Sequence, residues 1–404
     1  MPTSISRNKT KFPQGVSNSH ITMNSSEPIR IGLLFSKKGV TSQMESSQLY
    51  GALFAIDEIN SLGGVQGREI VPTHYDPQSD NFRYKVLLEH LIIEDRINLI
   101  FGGYTSSSRK EMLPIIEKHN KLLFYPQQYE GFEYSENIIY LGAAPNQNLV
   151  QLENFMTNKF GARIYMIGSN YIYPYETNRN MHSLIAANPA HEIIEERYVS
   201  LHADKNSIND IVKDIKAKQP DFIFCTLIGI TVPYFYNAFL RAGIDSARIP
   251  IASLNTSEVE INMMGTEAAF GHYTSSPYFQ SIKSPLNRRT VDLFFASKYG
   301  DRAIPNMNWE ASYFAMHLLA KALKNAEVDR IEDILTNILG AEIDAPQGRV
   351  QIDHLTHHAS LYPRIGVANA EGQFTIIEDH GVRIVPDPYM VHSHPTIVHD
   401  YLVN

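Results

Sequence analysis

Short apolar runs alternate with longer helical stretches along this chain, and the alternation runs through twice. Ile31 to Phe35 reads as a first buried strand, and Leu49, Leu53, Ile56 and Ile59 mark one face of a helix from Gln43 to Leu62. A strand over 69–75, a helix over 81–94, a strand over 97–101, a helix over 108–119 and a short strand over 122–124 follow. Such alternation predicts an α/β fold, with parallel strands covered on both faces by helices. Around Gly142–Asn148 the pattern restarts, with strands near 163–167, 193–199, 221–228 and 249–254 and helices between them. At 404 residues the chain is too long for one ordinary core. Two Rossmann-like lobes with parallel sheets are expected, joined by three crossings. The first lobe would take 30–144 plus 276–342 and the second 145–275 plus 343–385. Residues 1–29 would be a disordered tail, and 386–404 a C-terminal tail or docking arm. Two lobes joined in this way form a hinged cleft.

The strand over 97–101 runs into Gly102-Gly103-Tyr104-Thr105-Ser106-Ser107-Ser108, with Met112, Leu113, Ile115 and Ile116 in helical register behind. This is a strand, a tight turn and a helix start. Ser106 or Ser107 suits the N-cap, because its hydroxyl can accept from a backbone N–H of the first turn. Free N–H groups there favour negative charge. Polar and aromatic residues recur where other strands end: Tyr125 with Gln127 and Gln128, Tyr171 and Tyr173, and Asn255 with Thr256. In open α/β sheets ligands bind outside the carboxyl ends of the strands. Tyrosine offers a flat apolar wall and one polar tip, and Ser, Asn and Gln offer directed hydrogen bonds. The charged residues closest in sequence are Arg109, Lys110, Glu130 and Glu258. A pocket lined in this way suits a small neutral ligand, since a buried charge needs a partner.

Composition narrows the function classes. The net charge is −8 and no Lys/Arg-rich run occurs, so direct nucleic-acid binding is not expected. The one cysteine, Cys225, lies in an apolar run and reads as a buried small hydrophobe. No stretch approaches a membrane span, and residues 1–29 lack the apolar core of a secretory signal, so a cytoplasmic protein is expected. No G-x-S-x-G elbow, Walker loop or G-x-G-x-x-G occurs. His191-Glu192 starts like a zinc helix, but Glu195 stands where the second histidine would be. His354, His357 and His358, and the late His392, His394 and His399, read as exposed residues rather than metal ligands. No enzyme activity, cofactor or metal is expected. A homo-oligomer is left open.

From Ile31 to Pro388 the chain resembles type I solute-binding proteins of the branched-chain amino-acid and urea class. The likeness rests on Ile31–Ser36, Tyr125-Pro126 with Tyr129–Ser135, Pro145–Asn148, Tyr171–Pro174, Ala252–Leu254 with Thr256–Glu258, and Asp344–Gly348. Within that class these stretches are most similar to the amide-sensing regulators of the aliphatic amidase operon, and also resemble urea-binding transport proteins. The resemblance implies a neutral amide or urea held against Tyr104, Ser106, Tyr125, Tyr171, Tyr173, Ile228 and Asn255, with Gln128 beside them. It further implies a transcription antiterminator as protein partner, released when amide binds. Asn255 stands where the regulators have Thr, and Gln127-Gln128 where they have Thr-Pro. The urea binders have Val-Gln at the latter pair, and usually Trp at Tyr104. The transport reading is the alternative.

Overall fold

The computed structural model describes residues 27–202, 205–327, 330–391 and 397–398. In the first lobe β1 (Ile29–Leu34), α1 (Ser42–Ser61), β2 (Ile70–Tyr75), α2 (Asn81–Ile93), β3 (Leu99–Gly102), α3 (Ser106–Lys118), β4 (Leu122–Tyr125) and β5 (Ile138–Tyr140) follow one another. They make a parallel sheet in the order β2-β1-β3-β4-β5. The second lobe begins with α4 (Pro145–Phe160), β6 (Arg163–Ser169), α5 (Ile172–Ala186), β7 (Glu192–Val199), α6 (Lys205–Lys218) and β8 (Phe222–Thr226). It continues through α7 (Thr231–Arg241), β9 (Ile251–Ser253), α8 (Glu258–Met264), α9 (Thr266–Ala269) and β10 (Tyr273–Ser276). Five of its strands take the order β7-β6-β8-β9-β10, the same connectivity as the first sheet. The duplicated layout expected from the sequence is therefore present.

The chain then returns to the first lobe with α10 (Pro285–Ala296), α11 (Met307–Ala322) and α12 (Ile331–Ile338). Helix α11 lies along α1, where Trp309, Tyr313 and Phe54 stack in the core. Next come β11 (Glu342–Ala345), β12 (Gly348–Ile352) and β13 (Ala359–Ser360), a small separate antiparallel sheet. The expected change of lobe at 342/343 does not occur there. Ala345, Val350, Ile352 and Ala359 pack into the first-lobe core, because the sheet offers its apolar side to α11. Only β14 (Arg364–Ala368) and β15 (Phe374–Asp379) join the second sheet, both antiparallel, so that sheet is mixed rather than parallel. Finally β16 (Arg383–Ile384) pairs with β17 (Ile397–Val398).

The N-terminal boundary differs from expectation, and past Pro386 the docking arm is the alternative that the described residues match. Ile29 is already inside β1 and buried; residues 1–26 lie outside the described residues. Past Pro386 the chain docks: Asp387 N donates to Asn146 Oδ1 at 2.9 Å, and Phe132 N donates to the Pro388 carbonyl at 2.9 Å. His392, His394 and His399 lie outside the described residues. Among the described residues no helix is long and apolar enough to cross a membrane, and no cluster could hold a metal ion.

Candidate functional site

In a sheet of this order, the loops after the first and third strands diverge to opposite faces and open a crevice at their carboxyl ends. In the first lobe these loops carry Ser36–Thr41 and Gly103–Thr105, and in the second Asn170–Tyr171 and Leu227–Ile230. The two crevices face one another. Gly102 has φ +157°, and a Cβ there would lie 2.3 Å from the Leu34 carbonyl, so glycine is what allows the chain to leave β3 so close to β1. Thr105, one residue before the expected caps Ser106 and Ser107, is the N-cap of α3, and its hydroxyl accepts from Ser108 N at 3.1 Å.

Ser106 is thereby free for a different task. Its hydroxyl donates to Glu130 and accepts from Arg109 Nη1 at 3.3 Å. Arg109 is fully buried, 3.1 Å from Glu130 and 2.6 Å from Glu133, and Lys110 reaches Glu133 at 2.9 Å. The guanidinium lies over the Tyr125 ring at 4.9 Å and the Tyr129 ring at 4.6 Å. Burial works to raise the Glu133 pKa, but Arg109 and Lys110 outweigh it and hold the carboxyl down at about 2. The negative charge favoured at the start of α3 is thus supplied by the chain's own Glu130. The floor of the crevice is internally neutralised.

Of the residues singled out from the sequence, Tyr125 donates from its hydroxyl to the Tyr104 carbonyl at 2.8 Å, tying that floor to the crevice wall. Tyr104 and Ile228 come from different lobes and share a small apolar cluster with Met44 and Val259, against which Tyr171 packs. A groove of about 390 Å³ opens beside the cluster and shares Met263 with it. Gln128, Tyr173 and Asn255 form a polar group across the lobes. Gln128 Nε2 donates to the Leu254 carbonyl at 2.5 Å and to Asn255 Oδ1, and lies 3.4 Å from the Tyr173 oxygen. Asn180 Nδ2 adds a further link to the Glu130 carbonyl at 3.0 Å. The lobes are closed on one another.

The polar group is incompletely satisfied. Asn255 Nδ2 and Thr177 Oγ are buried without a hydrogen-bond partner among the described residues. Both lie near enough to the Tyr173 phenol to influence its ionisation, which burial pushes strongly upward, yet neither meets it with hydrogen-bond geometry. Thr177 was missed in the sequence, although it follows Tyr173 by four residues and so shares its face of α5. His357 and His358 are buried rather than exposed. His358 stacks on Tyr140 at 4.1 Å, its Nε2 lies 2.6 Å from the Tyr129 hydroxyl, and burial lowers its pKa to about 3.

Two carboxyls near the lobe junction make stability depend on pH. Burial raises the pKa of Glu258 to about 7 and that of Glu310 to about 8. The folded state keeps protons there that an unfolded chain releases above about 4.5, so these groups stabilise at low pH and progressively less as pH rises through 7 and 8. Buried His272 and His358, both lowered to about 3, act oppositely, and their contribution is lost as pH falls from 6.5 towards 3. The melting temperature should therefore decline between pH 6.5 and 8, and Glu310→Gln should flatten that decline. A wild-type melting temperature constant over this window would refute the assignment.

A family model for the periplasmic binding protein domain matches residues 29–395. The chain is 20% identical over 336 residues to the leucine-, isoleucine-, valine-, threonine- and alanine-binding protein of Pseudomonas aeruginosa, covering 81% of this chain and 86% of that one. It is 30% identical over 130 residues to limonene hydroxylase of Geobacillus stearothermophilus, 32% of this chain but only 24% of that protein. The solved solute-binding protein of an ABC transporter from Rhodopseudomonas palustris BisB5, in complex with 3,4-dihydroxybenzoic acid, has a TM-score of 0.76 at 18% identity. That likeness covers 88% of this chain and 97% of that one, and is one of fold. The relatives matched along most of their length are solute-binding proteins, not enzymes. From residue 29 to residue 395 it belongs to the periplasmic binding protein domain family.

Proposed function

We propose that the chain binds a small uncharged amide or urea between its lobes, as the solute-binding component of an ABC transporter for such compounds. The observation that carries the ligand class is the uncharged, buried and unsatisfied polar group at the junction, with Asn255 Nδ2 and Thr177 Oγ lacking partners among the described residues. A buried polar atom without a partner costs about 1–3 kcal/mol, which a ligand's carbonyl and NH₂ would relieve. Among the charged residues of the crevice floor an amino-acid zwitterion would find none uncommitted. Arg109, Glu130 and Glu133 are engaged with one another. The transport role is supported by what the full-length relatives are named for. A second reading, a cytoplasmic amide sensor that holds and releases an antiterminator, is supported by the likeness of Tyr125-Pro126, Tyr129–Ser135 and Pro145–Asn148 to amide-sensing regulators.

A ligand of four heavy atoms yields at most ~1.5 kcal/mol per atom, or ~6 kcal/mol, which corresponds to a Kd of tens of micromolar. Isothermal titration with acetamide, butyramide and urea should show binding in that range or weaker, with leucine and benzoate silent. Heat from leucine or benzoate, and none from the amides or urea at millimolar concentration, would refute the ligand class. Uptake of the bound amide, against amide-dependent release of a co-purifying protein, separates the two roles.

A further inference from the structure

The hydrogen bonds around Gln128 have a direction. A carboxamide's oxygen and nitrogen are similar in size, so its partners decide which way it faces. Leu149 N–H, which can only donate, gives to Asn148 Oδ1 at 2.7 Å. That leaves Asn148 Nδ2 to donate to Gln128 Oε1 at 2.9 Å. Gln128 must then present Nε2 on its other side, where the Leu254 carbonyl, which can only accept, lies at 2.5 Å. The relay is thus anchored at two backbone groups that agree. Gln128 Nε2 also donates to Asn255 Oδ1, so Asn255 turns its Nδ2 away from Gln128. Nδ2 is buried and has no acceptor among the described residues. Gln128 approaches the Tyr173 oxygen at 3.4 Å as a donor, which leaves the phenol proton free to be given elsewhere.

We infer that Asn148 is a positioning residue which, through Gln128, sets Asn255 and Tyr173 as donors, so that the cleft selects solutes presenting a hydrogen-bond acceptor. This deepens the amide or urea reading and rests on it. A carbonyl oxygen with two lone pairs can take both donors, whereas guanidinium, similar to urea in shape, has no acceptor to offer. Because Gln128 also ties the two lobes, one relay links the polarity of the ligand to closure.

The test is the ratio of urea to guanidinium binding, measured by titration calorimetry on the full chain with melting curves as a folding control. Wild type should bind urea and not guanidinium. Asn255→Asp replaces the free donor by an acceptor, and should weaken urea about ten-fold while admitting guanidinium. Asn148→Leu removes one of the two groups that orient Gln128 and leaves the Leu254 carbonyl as the other; it should weaken urea about three-fold and narrow the ratio, which a merely structural role would leave unchanged. An unchanged ratio in a folded Asn255→Asp protein would overturn the relay. So would equal wild-type affinity for urea and guanidinium, a readout that requires no variant. Wild-type silence towards urea and every amide would instead remove the functional reading itself.

Discussion

Arg109→Met is expected to destabilise the protein by about 3–5 kcal/mol. The guanidinium is buried between two tyrosine rings and satisfies two carboxylates and a serine. Methionine fills much of the same volume, so the expected loss is electrostatic rather than a cavity. Glu133 would retain Lys110, but Glu130, buried to 2% exposure, would retain only the Ser106 hydroxyl. An uncompensated buried carboxylate is far costlier than the net worth of the pair that held it. Two signatures follow. The denaturation midpoint should fall without a change in m-value. The deficit should shrink as pH drops, because in the variant the carboxyls can be protonated and neutralised. Adding Glu130→Gln should recover much of the loss. A deficit below 1 kcal/mol at pH 7 would mean that water reaches these carboxylates.

The same network shows what the sequence holds and what it does not. Strands such as β3 are legible, here from the run 97–101, because a parallel sheet buried on both faces is written as continuous apolar runs. Helix ends are legible to within one or two residues. Thr105 caps α3 instead of Ser106 or Ser107, since four consecutive hydroxyl residues compete for one geometry. The hairpin at Asp344–Gly348 is local turn chemistry and is readable, but the lobe it joins depends on where Val350 and Ile352 find an apolar face, which is a long-range matter. Tyr104, Gln128, Tyr173 and Asn255 could be placed at strand ends because strand ends are local. Arg109 could be noticed, but its neutralisation by Glu130 and Glu133, 21 and 24 residues later, has no periodic signature. Nor does the packing of His358 against Tyr129 and Tyr140, so histidines that read as exposed are buried.

Gly142→Ala is expected to abolish measurable amide or urea binding at millimolar ligand, with a stability loss of about 1–3 kcal/mol or more. Gly142 lies where the chain leaves the first lobe, directly against the backbone of the Gln127–Gln128 peptide. A Cβ built on it would stand 2.1 Å from Gln127 C and 2.1 Å from Gln128 N, with the Gln127 oxygen at 2.4 Å. These are backbone atoms and have no rotamer by which to withdraw. The peptide must therefore move, and Gln128 moves with it. Its hydrogen bonds to the Leu254 carbonyl and to Asn148 leave little slack, at 2.5 and 2.9 Å. A displacement of about 1 Å breaks hydrogen bonds of this kind, and with them the fixed orientation of Asn255 and the link between the lobes. A merely destabilising methyl would behave differently, since binding would persist in whatever fraction stayed folded. The decisive comparison is calorimetry with urea and acetamide at a temperature where melting curves show the variant fully folded. Wild-type affinity there would show that the crossing yields without disturbing Gln128, and that the cleft does not depend on it.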